Sequence, residues 1–300
     1  YQRPLSDTLE LTAQVSWDHY SYYADLPYAD DDGGLLSERF VGHSISAQAR
    51  TLWRPNPEWQ LTTGIDWQYH VQNDAFGEAV DIEDGTYLDE RHPWQSFALY
   101  ALGGWEPNKT LGVQLGLRYD GRIVSDLADA EGNTEDRYAG ALSPRLAVRI
   151  RPDEHTILKV MGGTAFRAPS VYELTYNDGG ETQIPSPDLD PETIYTAEIE
   201  LVRSLGDDLD LVVGVFLSSL TNYIEVNGEG TEDDPIFLTN QDREVWSAGF
   251  EAELQHELSR GIFFSLSYAF QDTRTGALFD GDELPNAPAH QLAAKLLLPI

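Results

Sequence analysis

Trp59-Gln60-Leu61-Thr62-Thr63-Gly64-Ile65-Asp66-Trp67-Gln68-Tyr69-His70 decides the fold. Trp59, Leu61, Thr63, Ile65, Trp67 and Tyr69 alternate with Gln60, Thr62, Gly64, Asp66, Gln68 and His70. Successive side chains of an extended chain point to opposite faces, so this pattern is a strand with one apolar and one polar side. The same period recurs in both directions. Upstream, Leu9, Leu11, Ala13, Val15 and Trp17 alternate with Glu10, Thr12, Gln14 and Ser16. Downstream, Leu111 to Tyr119, Tyr195 to Leu201, Ala248 to Leu254 and Phe264 to Phe270 repeat it. The segment from Thr156 to Gly163 alternates poorly and is placed as a strand by its neighbours.

About twelve strands follow from this period, over residues 8–23, 41–54, 59–73, 94–105, 110–123, 140–151, 155–165, 192–204, 209–226, 242–257, 262–273 and 288–299. Their connections alternate between short and long. Short ones lie at Pro55-Asn56-Pro57, Pro107-Asn108-Lys109, Pro152-Asp153-Glu154, Leu205-Gly206-Asp207 and Ser259-Arg260-Gly261. Long ones run over residues 24–40, 74–92, 124–138, 166–190, 227–241 and 274–287. A soluble sandwich has no reason to follow such a rule, whereas outer-membrane barrels have short periplasmic turns and long extracellular loops. The expected fold class is therefore all-β, a transmembrane antiparallel β-barrel whose first strand runs outward. Most strands exceed the roughly 9–11 residues that a tilted strand needs to cross a bilayer. All seven Trp fall near strand ends, which fits an interfacial girdle.

The remaining composition narrows the partners. A length of 300 residues would allow two domains, but the pattern reads as one sheet, a partial barrel over residues 1–300. The start at Tyr1 and the end within a strand lead us to expect a piece of a longer polypeptide. No apolar run approaches the roughly 18 residues of a transmembrane helix. A net charge of −32 repels phosphates and excludes nucleic acid as a partner. Without cysteine there is no disulfide or thiolate metal site. More than half of the 51 acidic residues lie in the long connections. They are read first as solvated surface suited to a saline habitat. Calcium binding is the second reading, with Asp30, Asp31 and Asp32 the best candidates, although no EF-hand spacing is present. No catalytic signature occurs: no HExxH, no GxSxG, no P-loop, no GxGxxG after a strand. No enzyme activity and no cofactor are expected.

The stretch Gly163-Thr164-Ala165-Phe166-Arg167-Ala168-Pro169-Ser170-Val171-Tyr172-Glu173-Leu174 has its own physical reading. Pro169 lacks an N–H and pushes Ala168 out of the helical region, so strand pairing must stop there. Ser170 can cap a short turn or helix through Glu173. Phe166 and Tyr172 would anchor the segment, giving a loop packed at the outer mouth. Arg167 either contacts an anionic ligand or pairs with a nearby carboxylate.

That stretch resembles a segment of TonB-dependent receptor barrels. Pro187-Asp188-Leu189-Asp190-Pro191-Glu192-Thr193 resembles the stretch that follows it, and Tyr176-Asn177-Asp178-Gly179-Gly180 fits the loop between. Leu115 to Asp120, Ser143-Pro144-Arg145, Gly249-Phe250-Glu251 and Pro288-Ala289-His290 are similar pieces in the same order. The resemblance implies a plugged barrel of about 22 strands, of which these would be roughly the ninth to the twentieth. It makes Phe166, Arg167, Ala168, Pro169, Glu173, Leu174, Leu189, Pro191 and Glu192 structural, and Arg167, Tyr172, Tyr176 and Asn177 candidate ligand contacts. It implies an outer-membrane receptor of a Gram-negative-type bacterium, set in outer-membrane lipid and coupled to the TonB complex through a plug absent from this stretch. The cargo would be a scarce bulky small molecule or metal chelate: siderophore-bound iron, cobalamin or an oligosaccharide. A passive porin-like barrel or a structural outer-membrane protein is the alternative.

Overall fold

Eleven of the twelve expected strands form as single strands and the other, 209–226, forms in two pieces; every pairing between strands is antiparallel. The structure, a computed structural model, describes residues 1–27, 34–80, 85–128, 134–177, 182–258 and 261–299. The chain opens with β1 (Gln2–Pro4), β2 (Leu9–Pro27), β3 (Leu35–Asn56), β4 (Trp59–Ala79), β5 (Thr86–Arg91) and β6 (Trp94–Trp105). It continues through β7 (Leu111–Ala128), β8 (Thr134–Asp153), β9 (Thr156–Arg167), the short helix α1 (Val171–Thr175), β10 (Glu192–Ser204) and β11 (Leu209–Thr221). It closes with β12 (Ile224–Asn227), β13 (Phe237–Asn240), β14 (Val245–Leu258), β15 (Ile262–Thr275), β16 (Asp282–Glu283) and β17 (His290–Leu297). One sheet follows chain order from β1 to β16, with β5 added to β4 and β17 to β15, while β12 and β13 form a separate ribbon.

Several boundaries differ from the sequence reading. Residues 209–226 are not one strand: Asn222 takes a positive φ of 54°, which ends β11 and redirects the chain into the β12–β13 ribbon. The long connections are shorter than expected because the strands run on into them. Pro27 pairs with Leu35, and Ala128 with Thr134. Residues 74–92 include β5, paired back onto β4. With 22 residues, β3 extends roughly 70 Å at about 3.3 Å per residue. Crossing the bilayer needs half of that, so the wall continues well beyond it.

Three of the short ends share one local device. Asn56 Oδ1 accepts from the Glu58 and Trp59 N–H groups at 3.0 and 3.1 Å. Asn108 Oδ1 accepts from Thr110 and Leu111 at 2.8 and 2.9 Å. Asp153 Oδ1 takes the His155 N–H at 2.8 Å. In each case a proline precedes the Asn or Asp and pre-sets the turn.

The apolar side chains lie where a soluble protein would not put them. Among the described residues no large side chain is fully buried, while Val15 is 77% exposed, Leu115 64% and Leu99 56%. These belong to one face by alternation, which is the face a barrel turns to lipid. Six tryptophans share that face, Trp59 stacking on Trp105 at 5.7 Å near the short turns. Trp94 departs from the expected girdle. It pairs in register with His70 and stacks on it at 3.7 Å, so it occupies the opposite, polar face. The buried apolar cluster is small and one-sided: Val124 and Leu127 of β7 meet Leu174 of α1 and Leu189.

Candidate functional site

Strand β9 ends at Arg167, and the next residues turn inward rather than away. Ser170 caps α1 with a β-region conformation, its hydroxyl accepting the Glu173 N–H at 3.1 Å while the Glu173 carboxylate accepts the Ser170 N–H at 2.7 Å. This reciprocal box satisfies two N–H groups that a helix start leaves unpaired. It also aims Glu173 at Arg167, whose Nη1 donates to both carboxylate oxygens at 3.0 and 2.8 Å. Arg167 Nε reaches Glu192 at 2.5 Å, and the other Glu192 oxygen accepts the Ile224 N–H at 2.7 Å. Burial by itself would raise the Glu173 carboxyl; the bonds from Arg167 and the Ser170 N–H outweigh it and hold the group below its ordinary value.

The return of the segment to the wall is fixed by side chains from distant strands. Arg137 Nη2 donates to the Asp188 and Leu189 carbonyls at 2.8 and 3.0 Å and to Asp190 Oδ1 at 3.2 Å. Asn240 accepts the Asp190 N–H at 2.7 Å and donates to its carbonyl at 2.9 Å. The Leu238 N–H donates to Ser186 Oγ at 2.8 Å. Leu174 and Leu189, 4% and 3% exposed, fill the space against Val124 and Leu127. The segment is thus a built part of the inner wall at the long-loop end.

Beneath α1 lies a cavity of about 550 Å³, bounded by Leu88, Glu90, His92, Trp94, Arg122, Ala168, Ser170, Val171, Tyr172, Thr175 and Tyr176 among others. Tyr172 and Tyr176 present a tilted ring pair 4.6 Å apart. His92 meets Glu90 at 2.5 Å. The Arg122 guanidinium lies 4.4 Å over the Trp94 ring, a cation–π contact. Its Nη1 donates to the Pro169 carbonyl at 2.5 Å. On the β5 hairpin beyond, Tyr87 donates to Glu38 at 3.1 Å; burial, then the neighbouring carboxylate, push its phenol pKa up.

A cavity of this size with convergent polar groups is a candidate ligand site. The family model of the TonB-dependent receptor-like β-barrel matches residues 7–297. The chain belongs to the TonB-dependent receptor β-barrel family.

Its relatives agree with that family. The iron-regulated outer membrane virulence protein of Vibrio cholerae serotype O1 is 25% identical over 261 residues, covering 82% of this chain. The chain spans 37% of the length of that relative. The solved structure of the copper transporter OprC superposes with a TM-score of 0.78 at 17% identity, covering 97% of this chain and 48% of that one. The ferric yersiniabactin uptake receptor FyuA from Yersinia pestis gives 0.72 at 13% identity, over 98% and 45%. The family and the name of the Vibrio protein put this barrel in the outer membrane of a Gram-negative-type bacterium.

Within this receptor barrel the motif residues divide into groups. Arg167, Glu173 and Glu192 meet in one ion-pair cluster. Leu174 and Leu189 meet in the apolar cluster. Ala168 lines the cavity, the Pro169 carbonyl holds Arg122, and Pro191 stands one residue before β10. Phe166 pairs with Thr193 and alternates with Arg167 onto the outer face, so it does not anchor the segment. Tyr172 is 57% exposed and does not anchor it either; Leu174 and Leu189 do. Of the four candidate ligand contacts, Tyr172 and Tyr176 line the cavity, whereas Arg167 and Asn177 do not. Asp30, Asp31 and Asp32 lie outside the described residues. Arg122, Trp94 and Arg137 escaped the sequence reading. Arg122 carried one usable signal, since it continues the polar-face positions of Arg118 and Asp120.

Proposed function

We propose that this barrel belongs to a receptor for TonB-energised import of a scarce, bulky nutrient, and not to an enzyme. The cavity under α1 is part of the ligand path at its extracellular mouth. The candidate cargoes are an iron–siderophore complex, cobalamin or an oligosaccharide. The observation that carries this reading is the inward fold of residues 168–176, held by Leu174 and Leu189 against β7, which builds a lined cavity there. A general diffusion channel gains nothing from such a cavity. The names of the relatives, a copper transporter and a ferric yersiniabactin uptake receptor, support import of metals or their chelates. Energy coupling would pass through a plug domain contacting TonB, and Tyr172 and Tyr176 are the candidate contacts to cargo from this stretch.

The test is uptake of labelled ferric chelates, cobalamin and maltodextrin by cells carrying the full-length receptor, with and without TonB. Saturable uptake that disappears without TonB supports the proposal. Linear, TonB-independent uptake of many small solutes replaces it with a passive barrel.

A further inference from the structure

Resting on that import reading, we infer that the cavity selects a ligand bearing an anionic oxygen group, a carboxylate, phosphate or ionised chelating oxygen, and that Arg122 is the group that binds it. Arg122 is half-buried on the polar face of β7, at the back of the cavity. Among the described residues no carboxylate forms an ion pair with it. Its Nη1 is held by the Pro169 carbonyl, and its Nε is buried without a hydrogen-bond partner. A cation partly withdrawn from water is thus left without a counter-ion among the described residues.

This is unusual in a chain of net charge −32, where carboxylates are abundant. The other charges around the cavity are committed elsewhere. Glu90 meets His92 at 2.5 Å. Asp74 receives Gln72 at 2.6 Å and faces Arg91 at 3.2 Å. Glu173, at the start of the facing α1, is engaged by Arg167 and the Ser170 N–H.

The guanidinium is also held in place. Trp94 supports its face at 4.4 Å, and His70 backs Trp94 at 3.7 Å. A planar fork fixed in orientation, with an unused N–H, suits an oxyanion. An incoming anion would supply the missing counter-charge, whereas an uncharged ligand would leave the cation buried and unpaired. Among the three cargo classes, this favours one that carries an ionised oxygen group, such as an acidic metal chelate, over a neutral oligosaccharide.

The test uses the full-length receptor in detergent micelles, with calorimetric titration of ferric citrate, citrate and inorganic phosphate against maltoheptaose. Wild type should bind at least one oxyanion probe and not the neutral probe. Arg122→Gln should weaken that binding at least tenfold, and Arg122→Lys should recover part of it. A resistant folded band on unheated gels shows that the variants retain the barrel. No oxyanion binding by wild type, unchanged affinity in Arg122→Gln, or tighter binding of a neutral probe each overturns the inference. TonB-dependent uptake measured in parallel separates the two readings: if it persists while Arg122→Gln changes nothing, selection by Arg122 fails and import stands.

Discussion

Arg167 and Glu192 face each other in register at 2.5 Å, joining the last residue of β9 to the first residue of β10. The 24 residues between them leave the wall and return to it at this pair. Both carboxylates that Arg167 binds are largely buried, Glu173 at 17% and Glu192 at 14% side-chain exposure, while Arg167 is 48% exposed. Removing Arg167 therefore leaves two poorly solvated charges. Arg167→Ala should destabilise the loop between α1 and β10 by about 1–3 kcal/mol, discounted for the exposed guanidinium. Limited proteolysis of the full-length receptor should then cut this loop faster, with the rest of the barrel unchanged. Equal cutting rates would count against the clamp.

Ser170→Ala removes one half of the capping box and should cost about 1 kcal/mol. Hydrogen exchange at the Glu173 amide should speed up by several-fold, and Ser170→Asp should restore protection. If both variants exchange like wild type, the cap contributes nothing.

The Glu173 carboxyl sits below its ordinary value of 4.5, mainly because Arg167 and the Ser170 N–H outweigh burial. A depressed folded pKa adds stability that is present above the unfolded value and lost as pH falls through the folded one. Protection of α1 should thus be level from neutral pH down to about 5 and fall on acidification below 4.5. Glu173→Gln should start lower and lose this dependence. A wild-type profile that stays flat into strong acid would refute it.

Leu174 and Leu189 are packed on each other's cluster from opposite ends of the same loop. Each Leu→Ala change should cost about 2–5 kcal/mol locally, and the double variant less than the sum, because one cavity serves both. Strict additivity in loop protection would show that they do not share a core.

Arg137 donates to the Asp188 and Leu189 carbonyls and to the Asp188 and Asp190 carboxylates through its planar fork. Arg137→Lys keeps the charge but not the fork, so it should loosen residues 188–190 nearly as much as Arg137→Ala. Hydrogen exchange of this stretch measures it; full protection in the lysine variant would reduce the interaction to charge alone.

Much of this protein was legible from local order. Period-2 alternation located most of the long strands, because a pleated backbone with lipid on one side and a polar interior on the other forces that period. The Pro-Asn and Pro-Asp turns and the Ser170–Glu173 box were legible for the same reason: their partners lie within three residues. Even the poorly alternating stretch from Thr156 to Gly163 was placed correctly, since its neighbours left one strand's length between two turns.

Tertiary structure decided the rest, where partners are distant or a backbone irregularity resets the pattern. Trp94 turned inward because its register with His70 sets its face, which position near a strand end does not reveal. Residues 209–226 broke at Asn222 because the β12–β13 ribbon offers other pairing. Arg137 meets Asp190 across 53 residues, and Glu192 meets Ile224 across 32. The sequence by itself therefore determined a membrane-facing wall and its family. Which side chains meet inside the mouth, and that Arg122 is left there without a carboxylate, depended on strands far apart in the chain being brought side by side.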